Sequence, residues 1–459
     1  MMSCCRLPRS ARGWRRAPLL AAALAAALSA GPAAATTLAQ ETPRAEARRA
    51  AVHEEFARLF DAVVDTVNRE FWDKEQLGRV RWAERAAEAR AGVAEAPDLE
   101  TAARRINALL AELKTSHTVL LTPEDADYYV LRDVYTRVSR GDAAKKPRTQ
   151  VAGIGIFTVR AGERVFTDQV LEGSPADAAG IKPGDEIVSV DGAPFHAVRS
   201  FRGKAGEKAQ VAIRRTDGGP VETLGVEVDN MQPLAAFRAA TVASARVIER
   251  DGRRVGYVHV WASVGRDSAK AFTDALEKLK IERGTAHGDK PVEALIVDMR
   301  GRIGGTGSAG AGYLEALDPR GSRVRSLNKK SEPDTSRPLR GRTAVLIDRH
   351  TRSAAEIFVH AYKRERQGAL VGERTAGAVA AGRGFTMPGG NLLNLAVVGL
   401  EVDGDILEGP GVKPDIPVAR PLPYSGGADP VLEAAIGHLL DLDRPAAAAP
   451  QQSPASGSQ

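Results

Sequence analysis

Apolar residues recur at helical spacing near the start of the chain. Within residues 51–72 they fall three or four positions apart and would line one face of an amphipathic helix: Val52, Phe56, Leu59, Phe60, Val63, Val67 and Phe71. A second such stretch covers residues 99–113, with Asp98 placed to cap its first turn. The pattern predicts a helical N-terminal segment that ends at the polar run Lys-Thr-Ser-His-Thr, residues 114–118.

The pattern changes between residues 147 and 230. Short β-type runs alternate there with Gly and Pro, and the runs are residues 153–157, 165–171, 186–190 and 211–214. This spacing predicts a small, strand-rich module.

From residue 254 onward, predicted strands alternate with predicted helices. The strands are residues 255–260, 294–299 and 343–348, with helices at residues 268–279 and from Ser353 onward. Such alternation is typical of an α/β core. The tail, residues 443–459, is rich in Ala, Pro, Gln and Ser, and we expect it to be disordered.

The first 35 residues have the pattern of a secretory signal. An apolar run over residues 19–28 is followed by small residues up to Ala35. It is preceded by five arginines: Arg6, Arg9, Arg12, Arg15 and Arg16. The apolar run is well short of the roughly 20 residues of a membrane-spanning helix, so an anchor is disfavoured. We expect cleavage after Ala35 and a periplasmic or secreted protein.

The leader also changes what charge and cysteine content imply. It holds five arginines and no acidic residue, so its removal lowers the formal charge from +6 to +1. A nucleic-acid partner therefore has little support. Both cysteines, Cys4 and Cys5, lie in the leader, which excludes disulfides, cysteine-bound zinc and a cysteine nucleophile from the processed protein.

The strand-rich module resembles a known peptide-binding domain. The stretches Gly153-Ile154-Gly155-Ile156, Gly-Ser-Pro-Ala at 173–176 and Ala-Gly-Ile-Lys-Pro-Gly-Asp at 179–185 are similar to PDZ domains of bacterial processing proteases. We call residues 147–232 the PDZ module. The resemblance implies that backbone N–H groups of Gly153 to Ile156 bind a terminal carboxylate and that the next strand pairs with a peptide. The sequence does not decide whether the PDZ module presents peptides or gates an active site.

Ser353 follows a predicted buried strand and begins a helix. Its hydroxyl would lie at the positive end of the helix dipole, beside the free N–H of Ala354. A serine at a helix start is commonly only a cap, so this position alone does not identify a nucleophile.

Two motifs around Ser353 resemble the tail-specific protease family, S41. Ser-Ala-Ala-Glu at 353–356 is similar to its nucleophile motif, and residues 297–305 are similar to its strand and Gly-Gly loop, with Arg302 where the family has Asn. The resemblance implies that Ser353 is the nucleophile and that Gly304 or Gly305 joins Ala354 in an oxyanion hole. Glu356 is expected to have a secondary role, in capping the helix or contacting substrate.

The base expected for Ser353 differs from the base used in the C-terminal processing branch of the S41 family. That branch uses a Lys about 25 residues downstream of the serine, yet no Lys occurs between Lys363 and Lys413. The tricorn branch instead supplies His, Ser and Glu from segments similar to residues 113–118 and 407–416. By this resemblance His117 is the general base, and Ser116 and Glu408 orient it. His350, three residues before Ser353, is a rival base that the tight turn would align poorly.

Two other functions remain as alternatives. Residues 305–310 match the pattern G-x-G-x-x-G, but no second buried strand ending in an acidic residue follows, so nucleotide binding is weakly supported. A non-catalytic peptide-binding scaffold with a degenerate core is the stronger alternative, because Arg302 and the missing Lys depart from the family.

The predicted architecture is a multi-domain α/β protein. It comprises a signal peptide, a helical cap, the PDZ module, an S41 peptidase core of the crotonase and Clp-protease type, and a tail: residues 1–35, 36–146, 147–232, 233–442 and 443–459. We expect an exported serine endopeptidase without a metal or organic cofactor, acting on proteins or peptides and recognising some by their C-termini.

Overall fold

The computed structural model describes residues 32–138, 148–279, 281–282, 285–286, 292–301, 304–305, 324–326 and 342–441. The chain divides into two compact units, residues 1–55 and 56–459, and the described part of the first is helical. Most of the predicted signal and all of the predicted tail lie outside the described residues. None of the helices in the described ranges has the length and apolar character needed to cross a membrane.

The N-terminal segment is helical, as predicted. Its elements are α1 Pro32–Glu70, α2 Lys74–Arg79, α3 Trp82–Ala94, α4 Leu99–Ala111, β1 Val119–Leu121 and α5 Ala126–Val138. Asp98 caps α4, because its carboxylate accepts the Thr101 N–H at 2.7 Å. The predicted apolar seams are buried on α1 and α4: Phe56, Leu59, Phe60, Val63, Val67, Ile106, Leu109 and Leu110.

The PDZ module forms a five-stranded antiparallel sheet in the order β3-β4-β5-β6-β7. Its elements are β2 Val151–Gly153, β3 Ile156–Ala161, β4 Arg164–Val170, α6 Pro175–Ala178, β5 Glu186–Val190, β6 Lys208–Arg214, β7 Val221–Glu227 and β8 Asp229–Met231, with β2 paired to β8. The expected single strand over residues 153–157 is wrong. Gly155 has φ +86 and packs closely against Ser174, which breaks the strand between β2 and β3.

The PDZ module is attached to the α/β core by a segment near the C-terminus. Tyr424 packs its ring edge-on against Phe166 of β4, and its hydroxyl donates to Glu186 at 2.7 Å. Arg420 adds an ion pair with Asp168 at 3.1 Å. The module is therefore held on the core by polar and aromatic contacts with its strands β4 and β5.

The α/β core begins with α7 Pro233–Ser244. Its other elements are β9 Arg246–Arg250, β10 Arg253–His259, α8 Gly265–Lys278, β11 Ile281–Glu282, β12 Thr285–Ala286, β13 Ala294–Asp298, β14 Val324–Ser326, β15 Arg342–Ile347, α9 Ala354–Arg364, β16 Gly368–Gly372, β17 Ala381–Thr386, a 3-10 turn Pro388–Gly390, β18 Leu392–Val398, β19 Leu400–Val402, β20 Ile416–Pro417 and α10 Pro430–Asp441.

A six-stranded sheet in the order β20-β16-β15-β13-β10-β9 forms the centre of the core. Helices α8 and α9 bury one face and α10 the other. Because β13 and β15 are parallel, with Asp298 opposite Leu346, the loops that follow them leave the sheet side by side. These loops carry Gly304 and Ser353.

A smaller sheet connects the cap to the core. Strand β1 pairs antiparallel with β18, with Val119 opposite Asn394, and β18 pairs with β17. This pairing brings residues 116–118 of the cap against the core.

Candidate active site

Ser353 lies at a strained turn between β15 and α9. Its backbone has φ +59 and ψ −124, a region that residues other than glycine rarely adopt and that costs on the order of 1–3 kcal/mol. The Ser353 N–H donates to the Ala378 carbonyl at 2.9 Å and to the Glu356 carboxylate at 3.3 Å. This geometry resembles the sharp strand-to-helix turns that expose nucleophilic serines.

The turn before Ser353 is fixed by Asp348 and Thr351. The Asp348 carboxylate accepts the N–H groups of His350 and Thr351 at 2.9 Å each. The Thr351 hydroxyl donates to the Met299 carbonyl at 2.8 Å, which ties this turn to the end of β13. The strain at Ser353 is thus maintained by buried hydrogen bonds on its N-terminal side.

The structure brings Ser116, His117 and Glu408 together. The Ser116 Oγ lies 2.8 Å from His117 Nδ1 and 3.0 Å from Glu408 Oε2, and the Ser116 N–H donates to Glu408 Oε1 at 2.7 Å. The carboxylate can only accept, so the single hydroxyl proton of Ser116 faces Glu408 and Nδ1–H donates to Ser116 Oγ. His117 Nε2 is then left without a proton, as a general base requires.

Glu408 is itself fixed by the backbone of residues 377–380, here called the bridging loop. The N–H groups of Val379 and Ala380 donate to Glu408 Oε2 at 2.7 and 2.8 Å. The same loop accepts the Ser353 N–H through its Ala378 carbonyl. Glu408 and Ser353 are therefore bonded to one short segment of chain.

Burial and a neighbouring cation set the charge of His117. Burial, helped by the positive charge of the Arg352 guanidinium and opposed by Glu408, lowers the pKa of His117 to about 4. The imidazole is therefore neutral near pH 7.

The predicted oxyanion donors lie around Ser353. Among the described residues, the Ala354 N–H at the start of α9 has no hydrogen-bond partner. A Cβ added to Gly304 would lie 3.8 Å from Ser353 Cβ, so Gly304 is its direct neighbour. Gly305 forms a bridge with Ser263, and the Ser263 N–H donates to the Gly304 carbonyl at 3.1 Å. Arg302 lies outside the described residues.

Glu356 has a larger part in the site than the sequence indicated. Its side chain is fully buried and accepts from Thr375 Oγ1 at 2.6 Å and from the N–H groups of Gly377 and Ala378 at 2.7 Å each. Burial raises the pKa of Glu356, and these hydrogen bonds oppose the rise. The spacing Ser-x-x-Glu was the signal, but it predicted only a helix cap or a substrate contact.

His350 is directed elsewhere. Its Nε2 lies 3.5 Å from Asp168 Oδ2 in β4 of the PDZ module. This contact gives His350 a place at the junction of module and core.

The predicted carboxylate-binding residues form the turn between β2 and β3. Ile154 is buried in the module core, while Gly155 accepts the Leu171 N–H at 2.9 Å through its carbonyl. Ile156 begins β3, which is an edge strand of the five-stranded sheet. An edge strand leaves one side of its backbone available to an added peptide strand.

Comparison with known proteins agrees with this architecture. The sequence model of peptidase family S41 matches residues 254–418, and a PDZ domain model matches residues 166–215. The carboxy-terminal processing protease CtpA of Bacillus subtilis (strain 168) is 27% identical over 289 residues, which span 59% of this chain and 58% of that protein. The carboxyl-terminal-processing protease of Picosynechococcus sp. is 26% identical over 343 residues, spanning 69% and 75% respectively.

Solved structures show the same fold. Mature CPAF complexed with lactacystin has a TM-score of 0.50 and 13% identity, and the match covers 85% of this chain and 100% of that one. At this identity the likeness concerns the fold alone. The sequence matches therefore assign residues 254–418 to peptidase family S41 and residues 166–215 to a PDZ domain.

Proposed function

We propose that the chain is a serine endopeptidase in which His117 activates Ser353. The observation that carries this proposal is the hydroxyl of Ser116 between His117 Nδ1 and Glu408, since this arrangement leaves Nε2 free to accept a proton. The low pKa of His117, about 4, keeps that nitrogen unprotonated at neutral pH.

The proposed reaction has two stages. Ser353 Oγ attacks the scissile carbonyl carbon while His117 Nε2 takes the hydroxyl proton, and N–H groups of Ala354 and of Gly304 or Gly305 stabilise the oxyanion. The C–N bond then breaks, and His117 returns the proton to the leaving amine. Water, deprotonated by His117, hydrolyses the resulting acyl ester and regenerates Ser353.

The absence of the processing-branch lysine is compatible with this assignment. The segment that would carry that lysine includes Gly377 and Ala378, whose N–H groups are bonded to Glu356. A base reaching Ser353 from the cap, as His117 does in the proposed scheme, takes over its function.

The PDZ module is proposed to bind protein or peptide substrates, including their C-termini, on β3 and residues 153–156. Two relatives are named as C-terminal processing proteases, which supports this substrate class. Export to the periplasm or medium remains part of the proposal and rests on the leader pattern. We further propose that peptide binding to the module alters activity at Ser353.

Active-site labelling tests the proposal against the scaffold alternative. A fluorophosphonate probe should phosphonylate the purified protein once, with loss of fluoride, and the Ser353→Ala variant should not react. A folded protein that binds C-terminal peptides but never reacts with the probe would identify a non-catalytic scaffold.

A further inference from the structure

His259, at the end of β10, is buried and bonded through both ring nitrogens. Its Nδ1 lies 3.0 Å from Glu172 Oε1, and its Nε2 lies 3.0 Å from the Arg300 carbonyl oxygen. A carbonyl oxygen only accepts, so Nε2 carries a proton. Glu172 already accepts the Trp261 Nε1–H at 2.6 Å, and its carboxylate faces Nδ1, so Nδ1 carries a proton as well. His259 is therefore an imidazolium.

The surrounding charges favour this state. Burial alone would lower the pKa of His259, but Asp298 and Glu172 raise it, and the net shift is upward. Asp298 also forms an ion pair with Arg300 and accepts the Tyr257 hydroxyl at 2.7 Å. Asp429 pairs with Arg300 from the far side. The imidazolium thus belongs to a network in which each charged group faces a group of opposite charge.

Residues around His259 bond the chain on both sides of the proposed oxyanion loop: residues 298 and 300 before it and Gly304 within it. The Val260 N–H donates to the Asp298 carbonyl at 2.9 Å, and His259 Nε2–H donates to the Arg300 carbonyl. At the other end, the Ser263 N–H donates to the Gly304 carbonyl. Among the described residues no other donor bonds the Arg300 carbonyl, so removing the His259 bond would leave this carbonyl without a donor from those residues, only four residues before Gly304.

Glu172 connects this contact to the PDZ module. It follows Leu171, whose N–H donates to Gly155 in the carboxylate-binding turn. The adjacent Trp261 also stacks on Phe157 of β3, with ring centroids 6.0 Å apart and an interplanar angle of 26°. Two contacts from the peptide-binding side of the module therefore converge on His259 and Trp261.

We propose that His259 is a positioning residue for Gly304 and Gly305, and that Glu172 holds it in this role from the PDZ module. The inference rests on the proposed function for its catalytic consequence, because the two glycines supply an oxyanion donor only if Ser353 attacks a carbonyl carbon. The placement of the glycines is a separate, measurable property.

The test compares His259→Ala and Glu172→Gln with the wild-type chain. The His259→Ala substitution should make hydrogen exchange of peptides covering residues 299–305 about tenfold faster, since one charge-assisted hydrogen bond is lost. The same increase is expected when the substitution is made in the Ser353→Ala variant. Turnover of a short peptide should show kcat reduced about tenfold and KM within about twofold, because the oxyanion donor acts on the transition state.

Glu172→Gln keeps the size of the side chain and covers the case in which His259→Ala does not fold. It should lower the pKa of His259, measured by proton NMR of the imidazole, and weaken exchange protection at residues 299–305. His360→Ala is the matched control, since it removes another histidine–carboxylate pair, His360–Asp405 at 2.9 Å, and should change neither quantity.

The outcomes separate the two proposals. Unchanged exchange protection in both folded variants overturns the role of His259, whether or not the protein is a peptidase. Faster exchange in His259→Ala together with no Ser353 labelling of the wild-type chain supports the positioning role and refutes the peptidase function.

Discussion

Glu356 and Glu408 bind four consecutive backbone N–H groups of the bridging loop. Glu356 accepts from Gly377 and Ala378, and Glu408 accepts from Val379 and Ala380. Glu356 belongs to the helix that follows Ser353, while Glu408 contacts Ser116 beside His117. The relative position of Ser353 and His117 therefore depends on one short loop held between two carboxylates.

Glu356→Gln should destabilise the fold and reduce reactivity at Ser353. The amide of Gln brings a donor to a buried position that faces four donors, so at least one N–H group loses its acceptor, at a cost of about 2 kcal/mol. Denaturant unfolding measures the stability change, and fluorophosphonate labelling measures reactivity. The control is Glu277→Gln on the exposed face of α8, which should leave both unchanged.

Ser116→Ala should lower kcat about a hundredfold, because His117 Nδ1–H loses its acceptor and its link to Glu408. Ser116→Thr retains the hydroxyl and should recover most of the activity. Steady-state kinetics with a peptide substrate measure both variants. Equal activity of the Ala and Thr variants would show that the hydroxyl does not orient the imidazole.

The acid limb of kcat/KM should fall near pH 4 rather than near the ordinary histidine value of about 6.5. His117 must be neutral to accept a proton, so activity rises as pH increases through its lowered pKa. Arg352→Gln removes a nearby positive charge and should move this limb to higher pH. A wild-type limb at pH 6.5, unmoved in Arg352→Gln, would contradict the proposed environment of His117.

The strain at residue 353 predicts an unusual order of stability. Glycine adopts φ +59 and ψ −124 more readily than alanine, so Ser353→Gly should be about 1 kcal/mol more stable than Ser353→Ala. Both variants lack the Ser353 hydroxyl, so activity does not complicate the comparison. Chemical denaturation measures it, and an Ala variant as stable as the Gly variant would mean that the turn is relaxed.

Local sequence patterns predicted much of the fold, because helix formation and helix capping depend largely on residues that are close together in the sequence. The apolar seam of α4 and its Asp98 cap follow from helical periodicity and cap chemistry. Helices α3, α5 and α7 were not predicted. Helix α3 has only a weak apolar seam, while α5 and α7, which are far apart in the sequence, pack against each other in the folded chain. The break at Gly155 depends on its contact with Ser174, which no local pattern contains.

The site residues that could be predicted from the sequence are those that lie in motifs resembling a known family. Ser116, His117 and Glu408 were predicted from resemblance, and the structure brings them within hydrogen-bonding distance. The anchoring role of Glu356 and the link between His259 and Glu172 were not predicted. Both depend on backbone groups and burial that arise only when distant segments pack together.

The most direct test of the account is turnover of an unfolded protein substrate by the wild-type chain and the His117→Ala variant. The wild-type chain should cleave the substrate, and His117→Ala, although folded and still able to bind C-terminal peptides, should be slower by about a thousandfold. A His117→Ala variant with a near-normal rate would contradict the assignment of His117 as the base for Ser353.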